Sequence, residues 1–366
     1  MKLEILREHL DRAAGIAAKV SNKNLSLPVL GCALFVVSND RAVLRATNLD
    51  VSVEVVLKAK VSKDGVVAVP ATVLAQTVAA FSDQKLTVEL VGTSVVIKGE
   101  KGKSSIATID TSEFPTLPYV KQGEGVSATL PTHEIVSALR MVSFAAAQSS
   151  MKPELSSISI LLEKGELVAA ATDSFRLAEV RIPAKVKASF GPTLIPARNV
   201  PDIIRATEGS LNVEVRVSEN QCTFVSDAGF VTSRTIDGAF PDYNAIIPKE
   251  FVATVTSLKE DVVRAFRKVS IFADTFNQVH IAVKPSEKKF AVQSSNTAVG
   301  ETDEEVPGAL DGQDVEINFN ARYITDALSV IGGDSVTFSV AGAGKPMIIE
   351  DSPKRGFLYL VMPMNR

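Results

Sequence analysis

The chain is poor in residues that do chemistry. It has three histidines (His9, His133 and His280), two cysteines and no tryptophan. None of the histidines stands near a cysteine or a repeated motif, so no nucleophile–base pair or metal-ligand cluster is spelled out. G-x-S-x-G is absent, which excludes a nucleophile elbow. The stretch Gly342-Ala343-Gly344-Lys345-Pro346 approaches a phosphate loop and fails, because the first glycine is missing and Pro346 replaces the hydroxyl residue. It reads as a hairpin turn. The acidic run Glu301-Thr302-Asp303-Glu304-Glu305 lacks calcium-loop spacing and reads as a solvated edge. Asp173, beside Thr172 and Arg176, reads as a polar turn with an Asp–Arg contact rather than a general base. No catalytic residue, metal site or cofactor is expected.

Long apolar runs are missing as well. The longest, such as 32–37, fall far short of a membrane span. Residues 1–8 alternate charged with apolar side chains and contain no signal-peptide core. Cys32 and Cys222 sit in apolar, strand-like runs and read as two buried thiols in a reducing compartment. These absences predict a cytoplasmic protein with no membrane partner. The composition, 46% hydrophobic and 22% charged, is that of a folded chain. Its net charge of −3 means that a nucleic-acid role would need positive charge gathered on one face.

What is present is a repeat. Leu44-Arg45-Ala46-Thr47-Asn48-Leu49-Asp50 returns as Ala169-Ala170-Ala171-Thr172-Asp173-Ser174-Phe175, and more faintly as Val292-Gln293-Ser294-Ser295-Asn296-Thr297. Val69-Pro70-Ala71, Ile195-Pro196-Ala197 and Asn318-Phe319-Asn320-Ala321 keep step with it, as do Phe114-Pro115 and Phe240-Pro241. Solenoid repeats run roughly 20–50 residues; a period of a third of the 366 residues means whole domains. Three copies of one domain suggest a protein whose function is its shape.

Each third repeats one order of elements. Helical spacing predicts helices over 5–20, 132–148 and 258–271, then second helices over 71–81, 197–207 and 321–331. Alternating runs such as Leu86-Thr87-Val88-Glu89-Leu90 and Leu211-Asn212-Val213-Glu214-Val215 predict strands between turn signals. The fold class is therefore α+β: three repeated domains, each with two helices and roughly eight strands in antiparallel sheets. The expected domains are 1–122, 126–249 and 251–366, with linkers at 116–125 and 248–253.

Charge separates along this pattern. Helices 5–20, 197–207 and 258–271 carry more Lys and Arg than Asp and Glu, and the other three are neutral, so strands and loops are net negative. Sparse basic residues without interleaved aromatics suit non-specific phosphate attraction. Solubility alone would explain them equally well.

Four segments carry a resemblance. They are Leu27-Pro28-Val29-Leu30-Gly31, Ala171-Thr172-Asp173-Ser174-Phe175-Arg176-Leu177-Ala178, Asp237-Gly238-Ala239-Phe240-Pro241-Asp242-Tyr243 and Tyr359-Leu360-Val361-Met362-Pro363-Met364. In this order, on a threefold-repeated chain, they resemble the bacterial DNA polymerase III beta subunit, the sliding-clamp family, over the full length. The resemblance implies a homodimer, closed head to tail into a six-domain ring around double-stranded DNA that it holds non-specifically, by topology. It implies Ile106, Ile271 and Phe272 at the dimer interface and Lys19, Lys23, Arg198, Arg205, Arg264 and Arg267 facing DNA. It further implies a pocket for short linear peptides of the DNA polymerase catalytic subunit, the clamp loader and repair polymerases. Leu155, Thr172, Arg176, Leu177, Pro241 and Ile246 would form one part of it. Tyr323, Pro346, Val361, Met362, Pro363 and Met364 would form the other. A soft Met- and Pro-rich surface can re-pack around several partners. Some relatives carry glycine at the position of Ser174 and histidine or tyrosine at that of Phe175. Two rival readings are an enzyme of unrecognised type and a protein-interaction module that never encircles DNA.

Overall fold

The computed structural model describes residues 1–21, 27–39, 41–149, 151–352 and 356–364. Among them are six α-helices: α1 (Arg7–Val20), α2 (Ala71–Ala79), α3 (Thr132–Ser143), α4 (Val200–Thr207), α5 (Lys259–Ile271) and α6 (Ala321–Val330). Sheets are antiparallel throughout the pairings described. The mixed α+β class follows directly.

Chain contacts divide the protein into two compact units, 1–136 with 186–237, and 137–185 with 238–366. The cut passes through the second repeat, and strand exchange is the reason. In the first unit, Gly229–Arg234 from the second repeat pairs with Val51–Leu57 of the first. An eight-stranded sheet runs from Val126–Pro131 at one edge to Gly65–Pro70 at the other. Gly229 adopts φ 130°, and a Cβ there would lie 1.9 Å from the Glu54 carbonyl oxygen. Only glycine lets the strands approach so closely. The second unit repeats the device. Phe357–Val361 pairs with Arg176–Pro183, and a Cβ on Gly356 would lie 2.2 Å from the Arg181 carbonyl.

Each unit has a second, smaller sheet. In the first unit it is five-stranded, with Lys2–Leu6 inside it and Lys103–Ala107 at one edge. In the second unit it is four-stranded, with Gly300–Glu305 at one edge. Helix faces pack as the spacing predicts: Leu10, Ala13, Ala14 and Ala17 of α1 are buried.

Three element boundaries differ from the sequence reading. The alternation at the N-terminus is a strand, Lys2–Leu6 with Leu3 and Ile5 buried, so α1 begins only at Arg7. Helix α3 stops at Ser143, and the chain turns back until the Ala147 N–H meets the Leu155 carbonyl at 2.8 Å. The 197–207 segment opens with a 3-10 turn, Ala197–Asn199, before α4, whose first turn holds Pro201. The linker before residue 126 is tied down. Arg216 donates to the Tyr119 hydroxyl at 2.6 Å and the Val120 carbonyl at 3.2 Å. The Gly342–Pro346 segment is a hairpin turn, with Lys345 N–H on the Gly342 carbonyl at 3.1 Å. Cys32 and Cys222 are free and buried, and burial pushes both thiols up.

Candidate peptide pocket and basic helix faces

The repeated Thr-Asx motif builds a turn whose geometry recurs. Thr172 Oγ1 donates to the Arg176 carbonyl at 2.6 Å, and Asp173 Oδ1 accepts the N–H groups of Phe175 (2.9 Å) and Arg176 (3.0 Å). In the first repeat, Thr47 Oγ1 donates to the Val51 carbonyl at 2.9 Å, and Asn48 Oδ1 accepts from Asp50 and Val51. Both turns hold a residue at positive φ, Ser174 at 78° and Leu49 at 76°. Side-chain hydrogen bonds hold a conformation that non-glycine residues rarely adopt.

In the second unit this turn becomes a site. Arg176, 7% exposed, donates to Asp173 at 2.9 Å and to Asp326 on α6 at 2.6 Å. Its guanidinium lies 4.5 Å from the Tyr323 ring centroid and 5.7 Å from that of Phe144. Burial works against its charge, but the Asp326 hydrogen bond and the neighbouring acidic groups prevail and raise its pKa. Tyr359, with its ring 5.5 Å from that of Phe144, donates to the Tyr323 carbonyl at 2.9 Å, and burial pushes its phenol up. Arg176 thus braces the face of α6 that carries Tyr323.

Beside it lies an apolar floor of Leu177, Ile348 and Leu360, all buried, against which Tyr243, Ile247, Leu358 and Met362 pack. The chain end is clipped across this region. Met362 N–H bonds the Phe175 carbonyl at 2.9 Å, and Met364 N–H bonds that of Asn318 at 2.8 Å. Tyr243 donates to Glu179, which also pairs with Arg181 at 2.7 Å.

All twelve residues implied for the pocket fall in the second unit. Leu155, Thr172, Arg176, Leu177 and Val361 are buried and can only be floor or support. Tyr323, Pro346, Met362, Pro363 and Met364 are half-buried, while Pro241 and Ile246 are exposed. Three residues not among the twelve implied for the pocket touch the same elements. Asp326 anchors Arg176. Phe175, 61% exposed, rides on the turn. Phe276 is 68% exposed, and its carbonyl accepts from Asn320 Nδ2 at the start of α6. The exposed Phe175 was marked by its place in the repeat; Asp326 meets the turn, and Phe276 the start of α6, only through folding.

The basic helix faces are partly occupied by carboxylates. In the first unit, Arg198 pairs with Asp50 at 3.1 Å and Arg205 with Asp202 at 2.6 Å; Lys19 is exposed. In the second, Arg264 pairs with Asp261, and Lys268 with Glu304 at 2.8 Å. Arg267 is exposed and has no ion pair among the described residues. Lys23 lies outside the described residues. Of the implied interface residues, Ile271 is 67% exposed and Phe272 partly so. Ile106 is on an edge strand, but at 4% exposure it points into its own sheet's core, leaving Lys103, Ser105 and Ala107 outward.

Three successive family models cover the chain: the N-terminal, central and C-terminal domains of the DNA polymerase III beta subunit match residues 1–118, 129–242 and 244–365. The chain belongs to the DNA polymerase III beta-subunit family. Its relatives in that family include the beta sliding clamp of Caulobacter vibrioides, 29% identical, with all of both chains covered. The beta sliding clamp of Synechocystis sp. is 28% identical over all of this chain and 99% of its own. Among solved structures, the DNA polymerase III beta subunit of Thermotoga maritima superposes with a TM-score of 0.93 at 24% identity, covering 100% of this chain and 99% of that one. A Pseudomonas aeruginosa sliding clamp bound to griselimycin gives 0.92 at 23%, with both chains fully covered. The beta-subunit fold is thus shared across its whole length.

Proposed function

We propose that this chain is a sliding clamp without catalytic activity of its own, acting in the cytoplasm. Two copies close head to tail around duplex DNA, and the pocket of the second unit captures short peptides from the replicative polymerase, the clamp loader and repair polymerases. The observation that carries this reading is the end-to-end match of the three repeats to the three domains of one clamp subunit. The domains are taken as 1–122, 126–249 and 251–366.

Two features support closure. Lys103–Ala107 and Gly300–Glu305 are both sheet edges, and an open edge is a template for pairing with another chain. Lys98, Lys101 and Lys103 surround the first; Glu301, Asp303, Glu304 and Glu305 lie on the second. Opposite charges steer such an encounter and fix its register. Ile271 and Phe272 add apolar area at the end of α5. Heterologous contacts of this kind end either in a ring or in an open polymer.

Sedimentation equilibrium over a wide concentration range tests closure. A stable species of twice 39.0 kDa with no larger polymer is expected. A monomer at high concentration, or an open-ended series, defeats the ring. Retention on circular DNA that is lost on linearisation tests encirclement.

A further inference from the structure

This inference rests on the reading of the helices as a DNA-facing surface, and it starts from the fact that three of that surface's four arginines, Arg198, Arg205 and Arg264, are already engaged. Arg205 on α4 and Arg264 on α5 share one arrangement. Each has an aspartate three residues earlier, in the first turn of the same helix, and each reaches it: Asp202 at 2.6 Å and Asp261 in a short contact. The pairs lie in different units and different repeats, so one does not depend on the other. The aspartates are the more sheltered partners, 16% and 22% exposed against 38% and 62% for the arginines. The acid is held in place while the guanidinium stays within reach of solvent.

Helix stability accounts for Asp261, since an acid in the first turn complements the helix dipole. It accounts less well for Asp202. Burial pushes the Asp202 carboxyl up, against the hydrogen bond from Arg205 and the field of Lys19 on α1. Its ionised form is thus held against a desolvation penalty. A charge kept at such a disadvantage on the face assigned to a ligand points to a role toward that ligand.

We propose that Asp202 and Asp261 are built-in counter-ions of the DNA-facing helices. Each occupies a guanidinium that would otherwise hold a phosphate, so the surface attracts duplex DNA without gripping it. Phosphate binding by a free arginine releases a condensed counter-ion and gains from it; binding by Arg205 or Arg264 must first displace a tethered carboxylate. Each such arginine contributes less to the count of neutralised phosphates. Lys19 and Arg267 supply the long-range attraction, which has no preferred position along the duplex. A ring held by topology can tolerate weak contacts and is free to move only if they stay weak.

The test uses the full-length protein, a short fluorescent DNA duplex and titrations over a range of salt. Asp202→Asn with Asp261→Asn is expected to raise low-salt affinity about tenfold and to steepen the plot of log K against log salt by about 0.9 for each arginine freed. Arg205→Ala with Arg264→Ala is expected to abolish the gain in the Asn background; in the parent it bares two carboxylates and lowers affinity while leaving the slope nearly unchanged. A control, Glu219→Gln with Asp227→Asn, makes the same change in net charge at exposed turns outside the helices. If the control steepens the plot equally, net charge and not local pairing is responsible, and the proposal falls. If the Asn variant leaves the slope unchanged while Lys19→Glu with Arg267→Glu weakens binding, the DNA-facing reading stands and the counter-ions are refuted. If neither matters, the DNA-facing reading itself fails. Should Asp202→Asn not fold, Asp261→Asn alone carries the test with half the slope change.

Discussion

Replacing Arg176 by methionine keeps most of the side-chain volume and removes the charge. It strips Asp173 and Asp326, 13% and 33% exposed, of the guanidinium they share. Breaking a buried pair by removing one partner costs about 3–5 kcal/mol. The lower end applies here, because Asp326 is a third open to water and Asp173 keeps two backbone N–H donors. Loss of the stacking on Tyr323 adds roughly 0.5–1 kcal/mol. The expected loss is therefore about 3–4 kcal/mol, confined to the second unit. A multi-domain chain need not unfold in one step, so the measurement is hydrogen exchange of Arg176–Pro183 and Phe357–Val361 rather than a global melt. Adding Asp173→Asn and Asp326→Asn should restore more than half, since the orphaned charges and not the missing arginine are the main penalty. Affinity for a peptide from the cognate polymerase should fall about tenfold, roughly 1.4 kcal/mol, as Tyr323 loses its support. A single-variant loss below about 1 kcal/mol, or no recovery in the triple variant, would refute this account of the site.

Other outcomes follow from the same geometry. Deleting residues 363–366 should abolish peptide binding while leaving Phe357–Val361 paired, and unchanged binding in a calorimeter would remove the chain end from the pocket. Gly229→Ala should destabilise the first unit by more than the roughly 1 kcal/mol of an ordinary glycine substitution, because its Cβ meets the Glu54 carbonyl at 1.9 Å; thermal melts decide. The Glu214 carboxyl is held below its ordinary value of 4.5, first by the hydrogen bond from Arg216. That stabilisation is present above the ordinary value and is lost as pH falls through the lowered one. Acid titration should therefore release the Tyr119 linker from Arg216, and Glu214→Gln should flatten the pH dependence of Tyr119 exchange.

Much of the fold was legible along the chain. The Thr-Asx motif at 47–50 and 172–175 announced one turn used twice, and both copies form with matching hydrogen bonds. Helix faces were legible because their period is local. The first strand was not, since a few alternating residues beside a helix start can extend the helical pattern on paper. Ile106 shows what position on a strand leaves open, because a strand can be an edge while a given side chain on it faces inward.

The sequence by itself determined that one domain plan is repeated three times, that no catalytic cluster is written in any copy, and that basic residues favour three helices. These follow from period, composition and short motifs, all properties of neighbours in the chain. The tertiary structure alone decided which partners meet. Arg176 and Asp326 stand 150 residues apart, as the Glu54–Gly229 approach spans two repeats. Such pairings depend on which strand edges remain open once each repeat has folded, and no local pattern encodes an edge.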